Sequence, residues 1–259
     1  MSLLQAVILG IVQGLTEFLP ISSQAHLFLV PYLFGWTYQG LDFDIALHWG
    51  TLLAVLLVFG KDYLRYLRAL FIRGEEGRTE RRLGGLLVLA TIPAAVAGLF
   101  AKDLAESQFR NPLIMVVTLS VFAVLLWLAD RYLQKSARAE LSAGKSLAIG
   151  VAQAIAIIPG VSRSGSTITL GLFSGLSREE ATRFSFLLSG PIIFGAGLVA
   201  MRDFAGISPA LLAGFFASAV SGFFAIKFLL RFVSRNNFNI FVWYRLLLAA
   251  AVLGVVLYR

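Results

Sequence analysis

Two stretches of the chain decide its fold: residues 2–26, SLLQAVILGIVQGLTEFLPISSQAH, and residues 146–167, SLAIGVAQAIAIIPGVSRSGST. Each is an apolar run that ends at a proline, Pro20 or Pro159, and continues into a serine-rich segment. Proline ends a helix because it lacks an amide donor and its ring clashes with the preceding turn, whereas serine caps the start of a new helix. Each stretch therefore predicts a broken, re-entrant helical hairpin.

The rest of the chain has the composition of a bilayer protein. Of its 259 residues, 58% are hydrophobic and only 14% are charged, and the mean hydropathy is +0.83. Soluble domains carry about 25% charged residues. Residues 1–20 lack the basic start and cleavage site of a signal peptide, so we expect them to belong to the structure. Membrane-spanning helices, which need about 20 apolar residues, are predicted at 43–60, 84–102, 112–130, 184–200, 209–230 and 239–257.

The net charge of +8 comes from 22 Lys and Arg against 14 Asp and Glu. Because the basic residues cluster between apolar runs, they indicate cytoplasmic loops, and we exclude nucleic-acid binding. The absence of cysteine from the sequence excludes disulfides, thiolate metal sites and a cysteine nucleophile. Of the two histidines, His26 lies in the first hairpin, and His48, early in a predicted span, is the weaker candidate for a site.

Internal repetition relates the two halves of the chain. Shifting the sequence by 140 residues matches the first hairpin with the second. A separate shift of 124 residues superposes 95–101 on 219–225. The positions matched by the first shift include Gly10 with Gly150, Gln13 with Gln153 and Ser22 with Ser162. Chance similarity between helices rich in small residues is the alternative. The favoured interpretation is two repeats, 1–135 and 140–259.

The positions of four basic segments decide the predicted topology. If residues 146–158 crossed the membrane fully, the last two segments would lie opposite the first two, against the Lys and Arg bias. If these residues re-enter, all four share the cytoplasmic face. The segments are 61–82, 131–145, 178–183 and 227–235. The other face is predicted to hold Asp42, Asp44, the loop 102–110, Arg202, Asp203 and Arg259.

Each half then crosses the membrane three times, so the second half is inverted relative to the first. The predicted fold class is an all-α polytopic membrane protein, with six transmembrane helices and two re-entrant hairpins arranged as an inverted-topology repeat. Functional sites of such repeats lie near the bilayer midplane, where the broken helices meet. We therefore look for the site in the two hairpins.

The first hairpin offers a carboxylate among polar groups. Gln13 and Glu17 are four residues apart and share one helical face, as do Ser22 and His26 on the next helix, with Ser23 three residues from His26. An ionisable residue inside an apolar segment is a functional candidate by default. The alternatives are a surface carboxylate at the mouth of the hairpin and a histidine satisfied at a helix interface.

The second hairpin offers a guanidinium among hydroxyl groups. Arg163, with its five fixed donors, suits a phosphate or carboxylate ligand. Gly160 and Gly165 permit tight turns, so backbone amides and the start of the next helix can form an anion cradle. The surrounding hydroxyl groups are those of Ser162, Ser164, Ser166 and Thr167. The alternative is a purely structural ion pair between Arg163 and Glu17.

Together, segments 13–26 and 159–167 resemble the two signature motifs of the bacterial undecaprenyl-diphosphatase family, also called the bacitracin-resistance protein BacA. The resemblance covers essentially the whole chain in length and span pattern. It implies an enzyme of the bacterial inner membrane that removes the terminal phosphate from a C55 isoprenoid diphosphate at the periplasmic face, which recycles the lipid carrier for peptidoglycan synthesis. The family's first motif falls on Gln13 and Glu17, and Gln13 departs from members that have two glutamates here.

The resemblance gives the substrate, and the chemistry of the residues suggests their roles. Glu17 either ligates a divalent cation, Mg²⁺ or Ca²⁺, or acts as a base, and a metal role for Gln13 is doubtful. For the nucleophile we favour Ser23 over Ser22, with His26 taking its proton, while direct attack by water stays open. The substrate-binding residues are predicted to be Gln13, Ser22, Ser162, Arg163, Ser164, Gly165 and Thr167. Rival functions are a lipid-phosphate transporter or flippase and an inactive lipid-binding scaffold, and a homodimer is one of the assemblies left open.

Overall fold

The computed structural model describes residues 1–37, 40–72, 74–107, 111–133, 139–200 and 206–257, and within these residues it is helical and contains no strand. A five-residue π-helix, Ala129–Leu133, continues directly from α5. The ten α-helices of the described residues are α1 Leu3–Phe18, α2 Ser23–Phe34, α3 Leu41–Ala69, α4 Arg78–Ser107, α5 Pro112–Leu128, α6 Ala143–Ile155, α7 Arg163–Phe173, α8 Arg178–Ala200, α9 Pro209–Val233 and α10 Asn239–Leu257.

Six of the described helices are long and apolar enough to cross a membrane, namely α3, α4, α5, α8, α9 and α10. The six predicted spans are therefore confirmed by length and composition. The spans predicted for α3 and α4 were shorter than the helices, because both helices continue beyond their apolar part. The expected loop 102–110 is helical as far as Ser107. Several residues used for the charge argument lie outside the described residues: Arg73, 108–110, Lys135, Arg138, Arg202, Asp203 and Arg259.

The remaining four helices form two helical pairs at the predicted prolines. In the first helical pair, α1 and α2, the chain turns at residues 19–22, which we call the first turn. In the second helical pair, α6 and α7, it turns at residues 156–162, the second turn. The predicted serine cap forms only in the second pair, where Ser162 Oγ accepts a hydrogen bond from Gly165 N at 3.1 Å. Ser22 makes no side-chain cap.

The two turns end in the same backbone conformation. Ser22 has φ 71° and Ser162 has φ 70°, and within the described residues they are the only non-glycine residues with positive φ. Side chains rarely adopt this region because Cβ crowds the backbone there, so surrounding contacts have to hold it. The carbonyl of Ser162 accepts from Ser166 N at 2.8 Å. The carbonyl of Ser22 lies 2.7 Å from Nδ1 of His26.

Small residues let the helical pairs pack closely against the long helices. A Cβ added at Gly10 of α1 would lie 2.4 Å from the carbonyl oxygen of Gly214 in α9, and one added at Gly150 of α6 would lie 2.4 Å from that of Ala90 in α4. Such small residues are typical of helix contacts in membranes, where close packing replaces the hydrophobic effect. The packing brings the turns together, because Ser164 Oγ donates to the carbonyl of Leu19 at 3.0 Å.

Candidate active site

The centre of the site is an ion pair between the two helical pairs. Arg163 Nη2 donates to Glu17 Oε1 at 3.0 Å, across 146 residues of sequence. The side chains are only 14% and 7% exposed, so each charge depends on the other for compensation. Arg163 is fixed further by a 3.0 Å hydrogen bond from Nη1 to the carbonyl of Ser185 in α8. The structural pairing that we weighed as an alternative does form.

The second oxygen of the carboxylate collects the other polar groups. Glu17 Oε2 accepts from Ser23 Oγ at 2.7 Å and from Gln13 Nε2 at 3.1 Å, and His48 Nε2 lies 3.8 Å away. The ring of His48 is oriented by Nδ1, which lies 2.7 Å from the carbonyl of Asp44 and must donate to it, since a carbonyl only accepts. Ser23 and His48 therefore meet at one carboxylate oxygen.

His26 is the one predicted catalytic residue that the structure places apart from Ser23. Its Nδ1 donates to the carbonyl of Ser22 at 2.7 Å, and its Nε2 accepts from the hydroxyl of Tyr244 at 2.6 Å. Both ring nitrogens are thus engaged, while the Ser23 hydroxyl donates to Glu17. The prediction that His26 contacts the Ser23 hydroxyl was therefore wrong. Sequence spacing alone could not show that the imidazole faces α10 and the hydroxyl faces α1.

The start of α7 presents hydroxyl and amide groups next to Arg163. Ser162 Oγ lies 3.2 Å from Ser164 Oγ, and both side chains are buried. Arg163 and Ser164 are the first two residues of α7, where backbone amides have no carbonyl of their own helix to bind. This arrangement has the donors and the positive helix end that favour an anion.

Two predicted hydroxyl groups are turned toward the helix instead. Thr167 Oγ1 donates to the carbonyl of Arg163 at 2.8 Å and lies 2.7 Å from Ser185 Oγ. Ser166 Oγ donates to the same carbonyl at 3.1 Å. These contacts hold the residue that carries the guanidinium, so the structure indicates support of Arg163 by both side chains. Direct binding of a ligand by Thr167 stays a prediction.

The sequence analysis missed two residues and ranked a third too low. Tyr244 and Arg245 of α10 were not identified, although Arg245 is the only charged residue in 239–257 and is fully buried. The rule that an ionisable residue within a span is a functional candidate would have found it. His48 was ranked as the weaker histidine, yet it is the one that reaches Glu17. The available signal was an ionisable residue within a predicted span.

The site offers few protein ligands for a hard cation. Gln13 Oε1 is buried and has no hydrogen-bond partner, and it belongs to the amide whose nitrogen contacts Glu17. Amide and carboxylate oxygens are ligands for Mg²⁺ and Ca²⁺. No group of three or more His, Asp or Glu residues suited to a metal occurs in the described part of the chain. A cation here would take most of its ligands from a bound phosphate or water.

The fold and the site together define a class: a polytopic α-helical membrane protein that holds a carboxylate, a guanidinium and a serine within its apolar body. Residues 6–251 match the family described as bacitracin resistance protein BacA. The chain belongs to this family. The family resemblance drawn from segments 13–26 and 159–167 is thereby confirmed.

Curated relatives match the chain along its whole length. It is 51% identical to the undecaprenyl-diphosphatase of Desulforudis audaxviator, over 98% of this chain and 98% of that protein. It is 49% identical to the undecaprenyl-diphosphatase of Pelotomaculum thermopropionicum, over 98% and 96%. The undecaprenyl-diphosphatase of Gemmatimonas aurantiaca is 45% identical over 100% of both chains.

Breaking the ion pair is expected to reduce stability in a coupled way. Glu17→Gln or Arg163→Met alone leaves one buried charge without its partner and should lower the free energy of unfolding by about 3 kcal/mol. The double variant should cost clearly less than the sum of the two, because it leaves no unpaired charge. Thermal unfolding of the detergent-solubilised protein measures all three.

The control is Arg183→Met, which removes a more exposed pair, Arg183 Nη2 to Asp62 Oδ1 at 2.8 Å, with Arg183 49% exposed. Its cost should stay below about 1 kcal/mol. Strictly additive costs of Glu17→Gln and Arg163→Met would contradict the coupling.

Proposed function

We propose that this chain is an undecaprenyl-diphosphatase, which hydrolyses the C55 isoprenoid diphosphate to the monophosphate lipid carrier and inorganic phosphate. The observation that carries the proposal is the contact of Ser23 and Arg163 with the two oxygens of one buried carboxylate, Glu17, in a chain about half identical to enzymes of that name. The product is the carrier needed for peptidoglycan synthesis. Bacitracin resistance is the expected phenotype, in keeping with the family's description.

Arg163 is assigned to the diphosphate. Hydrolysis of a phosphoanhydride needs neutralisation of the phosphate oxygens, a positioned nucleophile and a leaving group that departs as a phosphate. The guanidinium supplies a planar pair of donors, and the amides of Arg163 and Ser164 lie beside it at the start of α7. The phosphate would compete with Glu17 for Nη2 of Arg163. Binding would thus exchange the ion pair for a substrate contact and release a carboxylate oxygen.

Glu17 is assigned as the base for Ser23, in place of His26. The Ser23 hydroxyl already donates to Oε2 at 2.7 Å, the geometry of an activated nucleophile. As its oxygen attacks the terminal phosphorus, the proton passes to Glu17, and the bond from that phosphorus to the bridging oxygen breaks. The bridging oxygen leaves with the lipid monophosphate. Water then hydrolyses the phosphoserine and releases phosphate. Direct attack by a water held by Glu17 is the alternative.

We also propose a divalent cation, Mg²⁺ or Ca²⁺, held by Glu17 and Gln13 Oε1. When bound, it neutralises phosphate charge during the reaction. The unpartnered buried oxygen of Gln13 supports this assignment. The remaining ligands would come from phosphate oxygens and water, as is usual for Mg²⁺.

The architecture behind this site is proposed as two re-entrant hairpins in an inverted repeat, with halves 1–135 and 140–259. Helix α1 is about 24 Å long and α2 about 18 Å, at 1.5 Å per residue, and both are shorter than a bilayer core of about 30 Å. Further support comes from paired features 140 residues apart. These are the positive φ of Ser22 and Ser162 and the close backbone contacts of Gly10 and Gly150.

The orientation is proposed from the loop charges. Basic residues follow α3, precede α8 and follow α9, and all belong to the cytoplasmic face if the helical pairs re-enter. Both ends of the first helical pair then lie at the periplasmic face of the inner membrane, so the site at its turn, near the midplane, would be reached from the periplasm. The polyprenyl chain would remain in lipid between the long helices, leaving the diphosphate at Arg163.

Activity measurements test the assignment of residues. Purified protein in detergent should release phosphate from a polyprenyl diphosphate. Glu17→Gln and Arg163→Ala should each lower kcat/KM by about 100-fold or more, because each removes charge stabilisation or proton transfer in the transition state. Ser23→Ala should abolish turnover if serine attacks, whereas attack by water predicts residual turnover.

The matched control is Ser120→Ala, because the Ser120 hydroxyl of α5 donates a hydrogen bond to the carbonyl of Val116 in its own helix. It should leave turnover unchanged. Undiminished turnover in Arg163→Ala would overturn the site. Absence of phosphate release from the wild type, with retained lipid binding, would favour a transporter or flippase, since inverted repeats are common among transporters.

Removal of divalent ions tests the metal assignment. Treatment with a chelator should reduce phosphate release strongly, and Mg²⁺ or Ca²⁺ should restore it. Gln13→Glu should raise the apparent affinity for the ion, since a second carboxylate strengthens the site, whereas Gln13→Leu should lower it. Turnover that is indifferent to the chelator at any concentration would refute this assignment.

Labelling of single cysteines tests the orientation. The chain contains no cysteine, so no background has to be removed. Impermeant reagents added to intact spheroplasts should label Ile207→Cys, which is 72% exposed between α8 and α9. They should not label Arg78→Cys or Asn236→Cys until the membrane is opened. The reverse pattern would overturn the orientation and leave the chemistry of the site unaffected.

A further inference from the structure

Arg245 is a buried guanidinium that the chemistry above does not use. It lies in α10 and is 0% exposed, the largest fully buried side chain of the described residues. Within the described part of the chain it forms no ion pair, and every acceptor that it contacts is a backbone carbonyl. A charge inside an apolar segment is costly and is retained where it has a function. Its partners indicate what this function is.

The carbonyls belong to three separate parts of the chain. Nη2 donates to Gly160 at 2.9 Å and to Val161 at 3.0 Å, both in the second turn. Nη1 donates to Pro20 in the first turn at 3.4 Å. Nε donates to Leu119 of α5 at 3.3 Å. One planar group therefore joins the two turns to each other and to the adjacent long helix.

The same helix holds the first helical pair at a second point. Tyr244 donates its hydroxyl to His26 Nε2 at 2.6 Å, and the two rings stack with centroids 5.5 Å apart. His26 in turn donates to the carbonyl of Ser22, the residue with positive φ. Arg245 thus contacts the first turn at Pro20, and Tyr244 contacts the helix that follows the turn at His26. Within the described residues, further hydrogen bonds between the two helical pairs run from Ser164 Oγ to the Leu19 carbonyl and from Arg163 to Glu17.

The sequence at the second turn is adapted to this guanidinium. A Cβ added at Gly165 would lie 2.7 Å from Arg245 Nη1 and 3.1 Å from Ser162 Cβ. Any larger residue at position 165 would have to displace one of them. The glycine of the second turn's motif therefore makes room for an arginine 80 positions away in sequence. Gly165 was predicted as a substrate-binding residue, and this contact gives it a packing role.

We propose that Arg245 is the positioning residue of the active site: by binding carbonyls of both turns, it fixes the register in which Glu17 and Ser23 face Arg163. It acts through the backbone and does not touch the reacting atoms. Guanidinium suits this role because its donors point in fixed directions in one plane. Lysine at this position offers one nitrogen and cannot span both turns and α5. The kinetic part of this inference rests on the proposed phosphatase activity, and its structural part does not.

A distance measurement tests the structural part. Cysteines replacing Ile11 in α1 and Val151 in α6, which are 42% and 48% exposed, carry spin labels in the otherwise cysteine-free chain. Pulsed electron resonance in nanodiscs should give one narrow distance distribution for the wild type. Arg245→Met should broaden or displace it, and Arg245→Lys should do so less. Arg178→Met is the control, because it breaks a partly buried pair with Asp130 remote from the turns. It should leave the distribution narrow.

Kinetics test the consequence for catalysis. Arg245→Met should lower kcat by about 100-fold, the cost of misplacing catalytic groups by an ångström, with a much smaller change in KM. Arg245→Lys should recover part of the loss. Arg178→Met should lower the yield of folded protein without changing kcat per folded molecule. If Arg245→Met acted only through a general loss of stability, it would resemble Arg178→Met: the yield of folded protein would fall and kcat per folded molecule would not.

A second variant covers the case in which Arg245→Met does not fold. Gly165→Ala keeps the arginine but displaces its guanidinium, so it should reproduce the altered distance distribution and the lower kcat. A wild-type distribution and wild-type kcat in Arg245→Met or in Gly165→Ala would overturn the proposal, as would equal broadening in Arg178→Met. If the wild type releases no phosphate while the distances change as expected, the phosphatase assignment fails and the positioning role stands.

Discussion

The structure depends on burying two opposite charges from distant parts of the chain against each other. Arg163 and Glu17 are largely buried in helical pairs within an apolar helical body, where an unpaired charge would be expensive. Each helical pair supplies the counter-charge of the other, Glu17 from α1 and Arg163 from α7. The approach is set by backbone contacts of small residues, such as Gly10 against Gly214. The ion pair thus links the fold of the two halves to the chemistry at their junction.

Local signals in the sequence were sufficient to predict the helices and the two breaks. Pro20 and Pro159 end apolar runs and are followed by serine-rich segments, whereas Pro31, Pro93 and Pro191 lie inside α2, α4 and α8. The combination of proline and the serines after it, and not proline alone, therefore marked the breaks. The length and composition of the six apolar runs predicted the six long helices, although charged residues at the ends of α3 and α4 concealed one to three further turns. Segments 13–26 and 159–167 also carried the family, since both motifs are contiguous in sequence.

The partners within the site could not be predicted in the same way. Ser23 is three residues from His26 and six from Glu17, so spacing favoured the histidine, but the chain turns at Ser22 and directs the hydroxyl toward α1. The hydrogen-bond partner of the His26 Nε2 atom is Tyr244, which lies 218 residues away in sequence. Arg245 itself was visible in the sequence as a single charge within an apolar span, but its partners were not. Its acceptors are backbone carbonyls, which leave no trace in the sequence.

Charge balance explains why the site needs more than its ion pair. Glu17 and Arg163 cancel each other before substrate binds, so a diphosphate would arrive with several negative charges and only one guanidinium to face them. Arg245 adds a fixed positive charge behind the second turn, but four of its five N–H donors are engaged with backbone carbonyls. Among the described residues, Gln13 Oε1 is a buried oxygen next to Glu17 that has no hydrogen-bond partner, and an acceptor of this kind repels phosphate and attracts a cation. In the proposed mechanism this oxygen and Glu17 would hold the cation that offsets the charge of the diphosphate.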